Sequence, residues 1–367
     1  MFKYKILQIE GLYFELLETP KNKEYNVKFI EHKDGEKHIL YECNMTKGMW
    51  AKIEITYLKD YYIEIWENDN LRENISFSKY LRGKRVFICV DSNSLGDTLA
   101  WMPYMLDFKE KHGCRVIVST FRNSMFEKVY PELIFAERAV VVQDIVAQYK
   151  IGWFYDYKQE PIHPATIPLQ KSCTNILDLE FVEKKPRLDF TPKERPIEGK
   201  YVCISVRSTA ELKHWDYWVE LIAYLNDNGY IVVEASKEET KLDNVLKLAD
   251  NSIENTMNYV YHSEFVIGLS SGISWLAWAL SKKVIMIANF TEESHEFQEG
   301  CIRITNKSVC NSCWNNPKYK FNKGDWWWCP EHEDTTRAFE CHKSISAKRV
   351  IEEVEKLIAP KEVVEIQ

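Results

Sequence analysis

Four cysteines lie close together toward the end of the chain, at Cys310, Cys313, Cys329 and Cys341. The first two form C-x2-C, fifteen residues separate them from the third, and eleven more precede the fourth. A C-x-x-C pair turns two thiolates toward one cation, and two more distant cysteines can complete a tetrahedron around it. Four soft thiolates suit zinc or a single iron and do not suit magnesium or calcium. The alternative is four buried free thiols, since cysteine packs well in cores. The Asn, Lys, Asp and Pro residues running through the segment favour the metal.

Three other stretches have residue types suited to anions or proton transfer. Ser94-Leu95-Gly96-Asp97 follows an apolar run, where Gly96 permits a close turn and Asp97 sits at a helix start whose amides stabilise a carboxylate. On position alone Asp97 is a candidate functional residue, with a simple N-cap as the competing role, and Asp91 is a weaker rival. Ser208-Thr209-Ala210-Glu211-Leu212-Lys213-His214-Trp215 offers hydroxyls, a lysine and helix-start amides that together can hold a diphosphate. It can equally be an exposed loop with Trp215 stapled under the next helix. Ser270-Ser271-Gly272-Ile273-Ser274 is small and hydroxyl-rich, and Gly272 removes the Cβ that would block an approaching anion. An ordinary serine-capped helix is the alternative there. No D-x-D occurs, so a glycosyltransferase built on this chain would offset diphosphate charge with protein donors, without magnesium or manganese.

The elements that must position these loops follow two patterns. Residues 1–82 alternate apolar and polar, as in Tyr25-Asn26-Val27-Lys28-Phe29 and Tyr61-Tyr62-Ile63-Glu64-Ile65, which predicts an antiparallel β-module. From Lys84 the runs become continuously apolar, as in parallel strands buried on both faces. Arg85–Val90 and Cys114–Ser119 alternate with helical stretches, including Asn123–Tyr130, and define a first Rossmann-like domain at 83–194. The pattern restarts in a second such domain at 195–303, with strands at 201–206, 230–234, 265–268 and 284–288 and helices at 215–228, 238–249 and 273–280. Residues 304–345 form the four-cysteine segment, and 346–367 a C-terminal helix. Two α/β halves in tandem predict an α/β architecture with ligand at the carboxyl ends of the strands, an outline shared by two-domain dehydrogenases, periplasmic binding proteins and GT-B glycosyltransferases. No G-x-G-x-x-G follows any strand, which weakens a dinucleotide-binding reading.

Composition narrows the function classes. A net charge of −7 over 367 residues gives no electrostatic footprint for nucleic acid. The amino-terminal segment lacks an apolar signal core, and Trp275–Phe290 is interrupted by Ser281-Lys282-Lys283, so neither a signal peptide nor a membrane span is expected. Of the ten cysteines, six are scattered singly, the pattern of a reduced, cytoplasmic protein.

Ser94-Leu95-Gly96-Asp97 with Pro103, Lys213-His214-Trp215, and the stretch Gly268 to Leu280 resemble the ADP-heptose heptosyltransferases that build lipopolysaccharide. With the β-module and the four-cysteine segment added, the whole chain resembles the bacterial autotransporter heptosyltransferases. That resemblance implies a GT-B enzyme with one iron on four cysteines, zinc being the alternative from spacing alone. It further implies transfer of heptose from ADP-heptose to serines of an autotransporter adhesin, and assembly into homo-oligomeric rings. By motif, Asp97 matches the general base; Thr209 and Lys213, with Ser271 and Gly272, match the diphosphate-binding residues. Glu238 falls near the ribose contact and Met257 near the adenine pocket; Ser208 and Ser270 complete the donor loops. Where the lipopolysaccharide enzymes carry Asp-Thr-Gly-x-Ser-His, this chain has Ser270-Ser271-Gly272-Ile273-Ser274-Trp275. The metal segment is expected to fold Trp326-Trp327-Trp328 into a rigid knuckle, remote from the chemistry. The alternative functions are a glycosyltransferase with another nucleotide sugar and a non-catalytic scaffold or chaperone for a secreted adhesin.

Overall fold

The computed structural model describes residues 1–154, 156–208, 210, 213–236, 240–248, 250–320 and 328–359. Strands β1 (Lys3–Gln8), β2 (Leu12–Glu18), β3 (Tyr25–Lys33), β4 (Glu36–Met45), β5 (Trp50–Ile53), β6 (Tyr61–Glu67) and β7 (Asn70–Ser76) lead into helix α1 (Phe77–Tyr80). Then come β8 (Arg85–Val90), α2 (Leu95–Trp101), α3 (Tyr104–His112), β9 (Arg115–Ser119), β10 (Ile134–Phe135), β11 (Ala147–Ile151) and α4 (Leu169–Ile176). The later part holds β12 (Tyr201–Ser205), α5 (Trp218–Asp227), β13 (Ile231–Glu234), β14 (Leu246–Lys247), α6 (Ile253–His262), β15 (Val266–Leu269), α7 (Gly272–Ala279), β16 (Val284–Ile287), β17 (Cys301–Ile304), α8 (Glu340–Lys343) and α9 (Ala347–Ile358). Two compact units result. One joins Met1–Asn93 to Ala100–Asp189, the other Ser94–Leu99 to Phe190–Gln367.

In the first unit the amino-terminal strands divide between two sheets. β3, β4, β6 and β7 form a four-stranded antiparallel sheet in the order β4-β3-β6-β7. Its β3–β4 hairpin turns at Asp34 and Gly35, both with positive φ, as a tight two-residue hairpin requires. β1, β2 and β5 instead extend the parallel sheet of the first Rossmann-like region, in the order β10-β9-β8-β11-β1-β2-β5. Alternation identifies a strand but not its partner. Gln8 supplies the partner: fully buried, it accepts a hydrogen bond from the Tyr149 hydroxyl at 2.7 Å and donates to the Tyr57 carbonyl at 2.7 Å.

The second unit has an all-parallel sheet in the order β14-β13-β12-β15-β16-β17, whose central strands are buried throughout. α5 and α9 cover one face through Trp218, Leu221, Leu225, Val350 and Val354, all in one apolar cluster with β12, β15 and β16. Trp215 anchors the chain ahead of α5 by donating to the Ile345 carbonyl at 2.6 Å. Two predicted helices differ. The stretch at 123–130 keeps only a 3-10 turn at Asn123–Met125, because the Asn123 side chain accepts from the Thr120 N–H and hydroxyl and closes a local turn. In 238–249 the described residues carry β14 instead. Asn244 takes a left-handed φ of 57°, which ends a helix, and Lys247 reaches back to Glu234 and Thr240. Among the described residues no helix is long and apolar enough to cross a membrane.

Glu160 is a buried cost in the first unit. It is 3% exposed, and among the described residues neither carboxyl oxygen makes a well-formed hydrogen bond. Burial pushes its pKa up to about 8, outweighing the pull of the Ile162 N–H and Lys59. Between the ordinary value of 4.5 and about 8 the unfolded chain gives up this proton while the native chain keeps it, so stability falls as pH rises through that window. Glu160→Gln removes the titration. Denaturant unfolding at pH 5 and pH 8.5 should show the variant gaining about 1–3 kcal/mol on the wild type across that interval. A difference that does not change with pH would contradict this account.

Candidate functional site

Asp97 enters the site on the first turn of α2, and its carboxylate side chain is only 8% exposed. It is not the helix cap. That position belongs to Ser94, whose hydroxyl accepts from the Asp97 N–H at 3.4 Å and whose carbonyl accepts from the Thr98 hydroxyl at 3.0 Å. Asp91 is engaged elsewhere, in ion pairs with Lys150 at 2.8 Å and Arg138 at 3.2 Å. Burial would raise its carboxyl, but the two cations hold it below the ordinary value. An acid already neutralised by two partners is a poor general base.

The start of α2 lies against the start of α7 within the second unit. A Cβ on Gly272 would stand 2.9 Å from the Leu95 Cβ and 3.4 Å from the Gly96 nitrogen. A Cβ on Gly96 would stand 3.0 Å from Cδ1 of Trp275, which is itself wedged edge-on against Trp278 and Phe297. Ser271 is the N-cap residue of α7, yet its side chain makes no capping hydrogen bond; its hydroxyl lies 3.5 Å from that of Ser205. Among the described residues the first amides of α7 thus have no cap from Ser271, and a helix start of this kind can accept an anion.

Lys213 is half-buried, and its ammonium donates to the Ser270 carbonyl at 2.9 Å over the ring of Phe290. Burial pushes its pKa below the ordinary lysine value, Glu296 and Asp97 pull it back up, and Arg303 opposes them. Asp97, Lys213 and the Ser270-Ser271-Gly272 loop are thus brought together on one unit. The cation and the carboxylate sense each other.

Behind this loop is a network that sequence reasoning missed. Glu296, fully enclosed, accepts from the hydroxyls of Ser270 and Thr291 and pairs with Arg303. Arg303 also donates to the Thr291 carbonyl at 2.8 Å. Burial would raise the Glu296 carboxyl, but Arg303, His295 and the Ser270 hydroxyl outweigh it and hold the pKa at about 2. The available signal was the acidic loop Thr291-Glu292-Glu293-Ser294-His295-Glu296 directly after an apolar strand.

Ser208 lies nearby in the chain, its carbonyl 3.3 Å from His214 Nε2. Met257 is 2% exposed on α6, which packs on α7. Thr209, Glu238, Trp326 and Trp327 lie outside the described residues.

The four cysteines are neighbours within the second unit. Cys310 and Cys313 share a hydrogen bond, both lie within electrostatic reach of Cys329, and Cys341 is within reach of Cys310, Cys313 and Cys329. Cys313, Cys329 and Cys341 are buried, and each pairs with no other cysteine as a disulfide. Among the described residues no three His, Cys, Asp or Glu side chains already form a metal shell. The donor chemistry, four mutually close thiols, nonetheless fits a thiophilic ion. A cavity of about 420 Å³ beside them is lined by Cys310, Cys313, Lys318, Glu331, His332 and Arg337 among others, and includes none of Asp97, Lys213 or Ser271.

Residues 170–326 match the family described as Glycosyltransferase family 9 (heptosyltransferase). The structure superposes on TibC from enterotoxigenic E. coli H10407, a bacterial iron-containing dodecameric glycosyltransferase, with a TM-score of 0.84 and 26% identity, over 97% of this chain and 95% of that one. TibC in complex with ADP-D-beta-D-heptose superposes with a TM-score of 0.83 at the same coverage. Fold and matches define the class, a glycosyltransferase with a GT-B-like fold. The autotransporter heptosyltransferase Aah of Escherichia coli is 31% identical over 345 residues, spanning 89% of this chain and 87% of Aah. The inactive autotransporter heptosyltransferase BimC of Burkholderia thailandensis is 30% identical over 286 residues, 73% of this chain and 67% of BimC. The chain belongs to the autotransporter heptosyltransferases.

The contact between the two helix starts can be tested directly. Gly272→Ala places a methyl against the Leu95 Cβ and the α2 backbone, neither of which is the far end of a flexible side chain. Overpacking of this kind costs about 1–3 kcal/mol, so thermal unfolding should show a lowered Tm. A wild-type Tm would mean that α2 and α7 separate freely.

Proposed function

We propose that this protein is an inverting heptosyltransferase that moves heptose from ADP-heptose to serine hydroxyls of an autotransporter adhesin. The observation that carries the reading is the grouping of Asp97, Lys213 and the uncapped start of α7 on one unit. An Asp97 carboxylate oxygen takes the serine proton as the serine Oγ attacks the anomeric carbon. The bond from that carbon to the diphosphate oxygen breaks in the same displacement, which inverts the configuration and releases ADP. The Lys213 ammonium and the first α7 amides stabilise the departing diphosphate charge. Thr209, Ser208, Glu238 and Met257 complete the donor site in this reading.

TibC binds ADP-D-beta-D-heptose and is dodecameric, and these properties support the same donor and a homo-oligomer for this chain. TibC also contains iron. Cys310, Cys313, Cys329 and Cys341 would hold one iron here, with zinc the alternative. Bound by four thiolates, such an ion supplies a structural cross-link.

The inactive relative gives the scaffold reading specific support, and turnover separates the two. Wild-type protein incubated with ADP-heptose and a passenger fragment should release ADP and add one heptose mass per modified site. Asp97→Asn should lower transfer by about 10²- to 10⁴-fold, while ADP affinity changes only a few-fold. Full transfer by a folded Asp97→Asn protein would remove Asp97 from the mechanism; no ADP-heptose turnover by wild type would favour the scaffold.

The metal assignment has its own test. Purified protein should contain one iron per chain by elemental analysis, with visible thiolate-to-iron absorption, and Cys313→Ser should lose both and unfold at lower temperature. A colourless protein with one zinc would change the ion; no bound metal would refute the site.

A further inference from the structure

The buried carboxylate of Glu296 touches the donor site from behind. Its oxygens accept from the Ser270 and Thr291 hydroxyls, and Arg303 closes the other side. Ser270 links this network to the surface of the site, since its hydroxyl donates to Glu296 while its carbonyl accepts from the Lys213 ammonium. Burying an ion pair gains little stability over apolar packing, so a structural role alone is a weak reason to keep one.

We propose that Glu296 is a positioning residue of the donor site: through Ser270 it fixes the carbonyl that aims Lys213. The proposal rests on Lys213 contacting the ADP diphosphate, as above. The groups facing Lys213 are the Ser270 carbonyl, the Phe290 ring, Glu296, Asp97 and the opposing Arg303. Those facing Glu296 are Ser270, Thr291, His295 and Arg303. The sign follows from these charges. Glu296 raises the Lys213 pKa, so neutralising it lets burial and Arg303 lower that value further, and the ammonium is lost at a lower pH.

The test is calorimetric titration of ADP into the full chain between pH 6.5 and 10, for wild type, Glu296→Gln and Ser270→Ala. Glu296→Gln should bind ADP about tenfold more weakly at pH 7.5, with the alkaline loss of binding moved down by about one pH unit. Ser270→Ala cuts the link but keeps the carbonyl and the Glu296 charge. It should weaken ADP binding several-fold and leave the alkaline limb near its wild-type position. If both variants are folded by circular dichroism and match wild type in affinity and pH dependence, the assignment is overturned. If Glu296→Gln does not fold, Ser270→Ala decides alone, and wild-type affinity in that variant overturns the proposal. Absence of ADP binding in wild type would instead refute the donor-site reading beneath it.

Discussion

The site depends on two helix starts that meet through glycines, each packed against a side chain of the other helix. Gly272 faces Leu95 and Gly96, where a methyl group would clash, and Gly96 faces the Trp275 ring, where a methyl group would press on the ring. Helix N-termini carry partial positive charge, so bringing two together is unfavourable unless something anionic lies between or beside them. Asp97 in the first turn of α2 supplies part of that charge. Lys213 then adds a full cation close by, offset by Glu296 and Asp97 and joined by Arg303. In the proposed reading this arrangement receives the donor diphosphate. Ser271 leaving α7 without a side-chain cap has the same sense, since a capping hydroxyl would occupy the amides an anion needs.

The residues that depart from the lipopolysaccharide enzymes' Asp-Thr-Gly-x-Ser-His stretch have physical substitutes in this fold. At the first position stands Ser270, and a carboxylate reaches it all the same, from Glu296 on the loop that follows β16. At the last stands Trp275, which fills the space beside Gly96 and packs edge-on against the stacked Trp278–Phe297 pair. Acidic charge is therefore supplied from a second loop, and a bulky ring sets the spacing of α2 from α7.

Much of this could be read from residue order, and the exceptions have identifiable causes. The parallel strands of the second unit were legible because β12, β15 and β16 are apolar at nearly every position, a pattern set by burial on both faces. The candidate loops were legible because small and hydroxyl residues follow those strands directly. Strand partnership was not, because β1 joins β11 through Gln8 and Tyr149, 141 residues apart. The predicted helix at 238–249 failed on Asn244, whose left-handed backbone no periodicity announces. The acidic loop holding Glu296 was legible, but the pairing of Glu296 with Arg303 was not, for a related reason. Each reads as an ordinary surface charge until the fold encloses both and pairs them.

The cysteine segment and the site are joined by one stretch of backbone after β16. Ser312 donates its N–H to the Asn289 carbonyl at 2.6 Å, Trp314 donates to the Phe290 carbonyl at 3.0 Å, and Asn315 accepts from the Glu292 N–H at 2.7 Å. The Asn289 side chain donates to the Cys341 carbonyl and accepts from the Asn306 N–H, so two distant parts of the segment close on one residue. On its other side the same stretch places Phe290 under the Lys213 ammonium and Thr291 on Glu296 and Arg303. This stretch is held by these hydrogen bonds, each of modest net worth, and by the burial of Phe290 against the Trp314 ring. In the proposed reading, an ion held by Cys310, Cys313, Cys329 and Cys341 would stiffen this segment. Through the shared stretch of backbone it would then steady the Phe290 ring beneath Lys213.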